Sequence, residues 1–210
     1  MPRQVVLLDA GLGNLGSVER ALSQVGAAVV RTSDPDTVAA ARIVVFPGQG
    51  AFGEQTDAIV SGPLGSAIRA FIDKGGSFLG ICLGMQLLFE GSDEAGGRPG
   101  LGLLQGRARR FPNDMVEPPP PGTDLPGRRL KIPHMGWNDV SPDGEHYYFV
   151  HSYYVDGADP EHVTWTCTYG DVTFPATVVR GNVVGCQFHP EKSQRAGLRF
   201  LRAFLLGGWK

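Results

Sequence analysis

Three residues in this chain are of the right types, in the right settings, to do chemistry together: Cys82, His189 and Glu191. Cys82 stands in Gly80-Ile81-Cys82-Leu83-Gly84, with Phe78-Leu79 before it and Met85-Gln86-Leu87-Leu88 after it. This reads as an apolar strand that turns directly into an apolar helix, with the cysteine at the sharpest point. Gly80 and Gly84 let neighbouring segments approach where a Cβ would clash. The pattern is the cysteine counterpart of the Gly-x-Ser-x-Gly elbow, which lifts a nucleophile above the end of a sheet. At a helix N-terminus a thiolate faces unpaired N–H groups and the positive end of the dipole, which lowers the thiol pKa. The alternative for Cys82 is a buried structural cysteine.

Gln187-Phe188-His189-Pro190-Glu191-Lys192-Ser193 is the second informative stretch. A strand ends at His189, and Pro190 stiffens the link to Glu191. A thiol nucleophile needs a base that takes its proton and later returns one to the leaving group. An imidazole held by a carboxylate does this, by triad logic. Alone, His189 reads as a surface turn histidine; together with the elbow cysteine the pattern is far more specific. A third stretch, Pro47-Gly48-Gln49-Gly50, ends another strand. Its backbone N–H groups near Gln49, with that of Leu83, are placed to form an oxyanion hole, unless this is an ordinary strand–helix turn.

The elements that must position these groups follow from patterning. Val5 to Leu8, Ala28 to Arg31, Ile43 to Phe46 and the run into Cys82 read as strands, mostly continuous in apolar character as in sheets buried on both faces. Helices fit Leu15 to Val25, with Asn14 as N-cap and Gly26 as stop, a short piece opened by Asp34-Pro35, and Pro63 to Lys74. This β-α-β-α-β-α-β order predicts a parallel sheet with helices on both faces. The stretch from Gly91 to Gly102 reads as a loop, and Leu103 to Phe111 as a region that includes a strand. Pro118 to Pro121 mark a surface excursion with polyproline character. Tyr147 to Val150, Val163 to Thr168, Thr173 to Val179 and Val183 to Phe188 add antiparallel strands, the last two joined by a hairpin turn. Ser193 caps a closing helix with Leu198, Leu201 and Leu205 on one face. The expected fold class is α/β: a single domain, residues 1–210, with a mixed, mostly parallel, flavodoxin-like sheet.

Composition removes several classes of function. Nineteen basic and 21 acidic residues give a net charge of −2, no electrostatic reason to expect nucleic acid or an anionic membrane. Cys82, Cys167 and Cys186 are an odd, widely spaced set, so neither a disulfide framework nor a Cys-x-x-Cys metal pair emerges. No apolar run reaches membrane-spanning length and the N-terminus lacks a signal-peptide core, so the expectation is a soluble, cytoplasmic protein with no metal and no cofactor.

Gly80-Ile81-Cys82-Leu83-Gly84-Met85-Gln86 with His189-Pro190-Glu191 resembles the class I, triad-type glutamine amidotransferases. Within them the sequence is most similar to the HisH family, the glutaminase subunits of imidazole glycerol phosphate synthase. Gly11-Leu12-Gly13-Asn14-Leu15, Pro47 to Gly53, Pro133-His134-Met135-Gly136-Trp137-Asn138, His151-Ser152-Tyr153-Tyr154 and Lys192-Ser193 carry that likeness. It covers nearly the whole chain. Ala10 and Gln49 depart from the commoner Tyr and Val.

The resemblance implies Cys82 as nucleophile, His189 as base and acid, and Glu191 as the orienting carboxylate. It implies an oxyanion hole from the backbone of Gln49 and Leu83, after a flip of the Gln49 peptide. It implies glutamine contacts at Gly50, Gln86, Ser152 and Tyr153. His134, Met135, Gly136, Trp137, Asn138 and Lys192 would face a partner, a HisF-type cyclase, in a heterodimer. The implied reaction is glutamine hydrolysis, with ammonia passed on to convert PRFAR into imidazole glycerol phosphate and AICAR in histidine biosynthesis. Two alternatives stand beside it: a glutaminase subunit of a chorismate-using synthase, and a non-catalytic regulatory subunit. The Lys-Ser after His-Pro-Glu and the Pro-His-Met-Gly-Trp-Asn run favour the HisH-type reading. Cys167 and Cys186 read as core residues, His146 and His162 as solvated, and Trp137 as an interface anchor in a polar loop.

Overall fold

The structure is a computed structural model and describes residues 2–208 apart from 118, 120, 121 and 123–125. Of the expected proline excursion, therefore, Pro118, Pro120 and Pro121 lie outside the described residues. The first half runs β1 (Arg3–Leu8), α1 (Leu15–Gln24), β2 (Ala27–Thr32), α2 (Pro35–Ala40), β3 (Ile43–Gly48), α3 (Glu54–Ser61), α4 (Pro63–Asp73), β4 (Ser77–Cys82) and α5 (Leu83–Gln86). Short strands follow: β5 (Gly91–Ser92), β6 (Arg98–Pro99), β7 (Arg107–Arg110), β8 (Val116–Glu117) and β9 (Arg128–Arg129). The rest is β10 (His134–Val140), β11 (Glu145–His151), β12 (Tyr153–Asp156), β13 (Val163–Tyr169), β14 (Val172–Arg180), β15 (Val183–Cys186) and α6 (Gln194–Leu206).

Seven strands form the central sheet in the order β13-β14-β15-β4-β3-β1-β2. Pairing is parallel from β2 through β15 and antiparallel at β15–β14 and β14–β13. This is the expected mixed, mostly parallel sheet. Alternation along each strand divides the core between its faces. Val5 and Leu7 join Leu22, Phe200 and Phe204 of α1 and α6 on one side, while Val6 and Leu8 join Val38, Ile68 and Phe71 of α2 and α4 on the other. Helix ends follow their sequence signals: Asn14 accepts from Ser17 N, and Asp34 accepts from Asp36 N and Thr37 N ahead of Pro35.

Four expectations are corrected. The helix after Cys82 stops at Gln86, and Leu87 and Leu88 serve instead as buried residues of a loop. Helix α3 was not read in the sequence, because its Gly-rich surroundings mask a weakly amphipathic segment. Residues 134–138 are not a polar loop but the start of β10, which pairs antiparallel with β11. Its alternation is broken up by a glycine and two polar residues, so apolar counting misses it. Ser193 stands at the N-cap of α6, but its hydroxyl caps nothing there. It donates to His189 O at 2.7 Å and accepts from Tyr148 N at 2.9 Å.

Candidate active site

Strand β4 ends and α5 begins with no intervening residue. The turn forces Cys82 to φ 53°, ψ −108°, a conformation that costs a non-glycine residue on the order of 1–3 kcal/mol. The surroundings leave it no alternative. A Cβ on Gly84 would lie 2.0 Å from Phe46 O, so α5 packs directly on the β3 backbone. Gly48, in register with Cys82, lies as close: its Cβ would lie 2.8 Å from Gly84 N. The Gln49 backbone and the start of α5 therefore share one end of the sheet, with Cys82 between them and 7% exposed.

His189 arrives just past β15, the strand next to β4. It is 1% exposed, which removes the surface-turn reading. Its Nδ1 lies 2.8 Å from Glu191 Oε1. A carboxylate only accepts, so Nδ1 carries a proton and Nε2 is left facing away from Glu191. Nε2 is buried and turned toward Cys82. The Cys82 sulfur is near enough to act on its charge. Burial alone would lower the imidazole pKa. The Cys82 thiolate and the Glu191 carboxylate overcome that and raise it to about 10. Folding thus favours imidazolium. Its contribution to stability is complete below the ordinary pKa of 6.5 and is lost as pH rises through about 10.

Helix α6 holds this turn in place. A Cβ on Gly197 would lie 1.8 Å from Pro190 O, so the helix can approach the Pro190–Lys192 turn only with glycine there. Gly197→Ala is expected to cost roughly 2–3 kcal/mol through overpacking and to displace His189 with the turn. Urea unfolding and catalytic turnover would both report it; a variant unchanged in both would refute the wedge.

Cys82 and His189 open into a pocket of ≈ 330 Å³ that also meets Gln49, Gly50, Leu83, Gln86, Ser152, Tyr153 and Lys192. All the residues expected to touch substrate or oxyanion thus border one cavity. Gln86 has both amide hydrogens committed, to Tyr153 O and to Gln187 Oε1, each at 2.9 Å. Only its carbonyl oxygen remains to meet a ligand. The Tyr153 carbonyl is likewise filled, since His151 Nδ1 also donates to it at 2.8 Å. Two residues, one on the pocket wall and one behind Cys82, were missed in the sequence. Glu94, in a short turn of the Gly-rich stretch, lines the pocket; burial raises its carboxyl pKa, opposed by the hydrogen bond from Phe52 N. Gln187 donates to Cys82 Sγ at 3.6 Å. It stands in the stretch already singled out, but nothing in an apolar strand marks one glutamine as special. A larger cavity, ≈ 920 Å³, opens at the opposite end of the sheet between Arg3, Ile43 and Ser77, and no cysteine, histidine or carboxylate lines it.

The interface candidates divide by strand alternation. Met135 and Trp137 point outward, 61% and 46% exposed. Tyr148, opposite Trp137 in the hairpin, stacks edge-on against it, and Lys192 Nζ lies 5.6 Å from the Tyr148 ring centre. His134 faces the other way and is 3% exposed, so it presents no surface: a correction to its grouping with the interface residues. Asn138 shares that inward side and donates to Thr168 O and to His134. Cys167 and Cys186 are buried, and burial pushes the Cys167 thiol up to about 12 and the Cys186 thiol well above its ordinary value. Among the described residues no three His, Cys, Asp or Glu are grouped to hold a metal, and no helix is long and apolar enough to cross a membrane.

A model of the class-I glutamine amidotransferases matches residues 6–207. The imidazole glycerol phosphate synthase subunit HisH of Syntrophotalea carbinolica is 44% identical over 211 residues, covering 95% of this chain and 98% of its own. That of Dechloromonas aromatica is 46% identical over 213 residues, covering 96% and 95%. Among solved structures, a glutamine amidotransferase superposes with a TM-score of 0.70 at 19% identity, covering 97% of this chain. PurLQS of Thermotoga maritima gives 0.64 at 17%; both show a shared fold. A strained elbow cysteine, a buried imidazole–carboxylate pair beside it and near-full-length relatives lead to one placement: the chain belongs to the class-I glutamine amidotransferases and, within them, to the HisH subunits.

Proposed function

We propose that this chain, read as one amidotransferase domain over residues 1–210, is the glutaminase half of an imidazole glycerol phosphate synthase. The observation that carries the reading is the pairing of Cys82 at φ 53° with a buried His189 whose Nδ1 is fixed by Glu191. The Cys82 thiolate attacks Cδ of the glutamine side chain. The resulting oxyanion is received by the Leu83 N–H and by the backbone N–H near Gln49. His189 gives its Nε2 proton to the departing nitrogen, and ammonia leaves a γ-glutamyl thioester. Neutral His189 then takes a proton from water as its oxygen attacks the thioester. The thiolate departs, and glutamate ionises into solvent.

Free ammonia escaping to solvent would be protonated and lost as a nucleophile, so a partner must receive it directly. The partner is a HisF-type cyclase that uses it to convert PRFAR to imidazole glycerol phosphate and AICAR. Met135, Trp137 and Lys192 supply the docking surface: an exposed aromatic with a thioether and a cation beside it, of the composition interface anchors have. Met135 pairs across the hairpin with Val150, which lines the pocket, so this surface adjoins the reaction site.

Glu94 supplies a carboxylate at the pocket wall, and Gln86 offers only an acceptor. Both suit the α-ammonium of glutamine. Glu94→Gln is expected to raise KM for glutamine about 10- to 100-fold, the worth of one charged hydrogen bond, with kcat changed far less. A change confined to kcat would exclude this role.

The deciding experiment is glutamate release by the purified chain, with and without a HisF-type cyclase and PRFAR. Strong stimulation by the liganded cyclase supports the reading. Stimulation by a chorismate-using synthase instead would reassign the partner, and silence with both would remove the catalytic role.

A further inference from the structure

Gln187 is fully buried one strand away from the nucleophile, and the three-residue scheme leaves it without work. Its amide nitrogen lies 3.6 Å from Cys82 Sγ. Which end of that amide faces the sulfur is settled by a chain of hydrogen bonds that starts at two backbone carbonyls. Tyr153 O can only accept, so Gln86 presents Nε2 to it. The same nitrogen donates to Gln187, whose Oε1 is thereby turned toward Gln86 and its Nε2 toward Cys82. Tyr153 O also fixes a proton on His151 Nδ1, leaving His151 Nε2 an acceptor for His134 Nδ1–H at 3.0 Å. His134 Nε2 then accepts from Asn138 Nδ2 at 3.2 Å, and that nitrogen is anchored by Thr168 O at 2.9 Å. Every donor in the run has an acceptor and no group is free to reverse. Two runs therefore meet at Tyr153 O, one from β10 through His134 and His151 and one from the Cys82 sulfur through Gln187 and Gln86, and the second sets the Gln187 amide.

We propose that Gln187 is a further catalytic residue, its amide N–H held on the Cys82 thiolate by this hydrogen-bonded run. A buried thiolate has few ways to replace its lost hydration, and a fixed N–H supplies one. His189 covers the charge from the base side, and Gln187 covers it from just past the end of β15. No proton moves through Gln187: it donates a hydrogen bond in the resting site and in the regenerated one. The proposal rests on Cys82 being the nucleophile.

The test is the pH dependence of Cys82 alkylation by iodoacetamide in the full chain without glutamine, followed by mass spectrometry of the Cys82 peptide. Gln187→Glu keeps the shape and places a carboxylate oxygen against the sulfur. Gln187→Met removes the donor at similar volume. Each is expected to move the alkylation midpoint up by about one pH unit or more, the value of a hydrogen bond to a charge. Each should lower kcat about tenfold while changing KM for glutamine far less. Gln86→Met, which releases the Gln187 amide without touching residue 187, should move the midpoint the same way, and it decides the matter alone if the Gln187 variants do not fold. A midpoint unchanged in the folded variants overturns the proposal. Loss of the nucleophile assignment is a separate outcome, read from turnover retained in Cys82→Ala.

Discussion

A Cys82→Ala chain is expected to release glutamate at least about 10⁴-fold more slowly than the parent, with the cyclase and its ligand present, because removing a covalent nucleophile removes the whole intermediate. No other thiol can substitute. Cys167 and Cys186 lie in the core with their pKa values pushed up by burial. The substitution should spare the fold, since alanine removes one sulfur from a pocket wall and leaves Gly80 and Gly84 in contact with their neighbours. It should also spare partner binding, because Met135 and Trp137 are on the outer side of the β10–β11 hairpin. One further consequence separates this site from an inert cysteine. His189 owes its raised pKa chiefly to Cys82, so in the alanine variant its titration, followed by NMR, should fall well below 10 toward the ordinary value. Turnover within a hundredfold of the parent, or an unmoved His189 titration, would remove Cys82 from the mechanism.

The second large effect is on stability in mild acid. His134 and His151 are buried among Phe111, Phe149, Tyr169 and Phe174. That setting lowers their pKa values by desolvation to about 4 and about 3, with the neighbouring imidazole adding to the shift at His151. In the unfolded chain both titrate near 6.5. Below that pH the unfolded chain binds protons that the folded chain refuses, so stability falls as pH falls from about 6.5 toward 4. Two histidines impose a slope of up to roughly 2.7 kcal/mol per pH unit, which over two units is comparable to the whole stability of a typical domain. A His134→Gln/His151→Gln chain, whatever its stability at neutral pH, should lose one to two protons' worth of that slope. Urea unfolding at several pH values between 4.5 and 6.5 measures the difference, and equal slopes in the two chains would show that the pair does not carry it.

The half of the fold built on β1 to β4 was legible because parallel strands buried on both faces leave unbroken apolar runs. Cys82 and His189 were legible for a related reason: glycine and proline at fixed offsets constrain a backbone strongly enough to be read from residue type alone. Gln86, Gln187, His134 and His151 were not legible as a connected set. Their relation is created by three segments meeting across the sheet, and each residue alone is compatible with many environments. His134 shows the limit most clearly. Its motif marked it correctly as unusual, but only strand alternation, invisible until residues 134–140 are known to be extended, tells whether it faces outward or inward.

His189 is fastened to more than its own strand. Its N–H donates to Tyr148 O, and the Ser193 hydroxyl joins Tyr148 N to His189 O. Both backbone groups of His189 are thus tied to the middle of β11. The consequence concerns modularity. The hairpin of residues 134–151 resembles an appendage that could be trimmed, or exchanged for another subunit's to change its partner. It is instead half of the mount on which His189 sits. A graft that replaces it must reproduce the Tyr148 backbone position as well as the outer residues, or the new partner will be joined to a chain whose His189 has lost its footing.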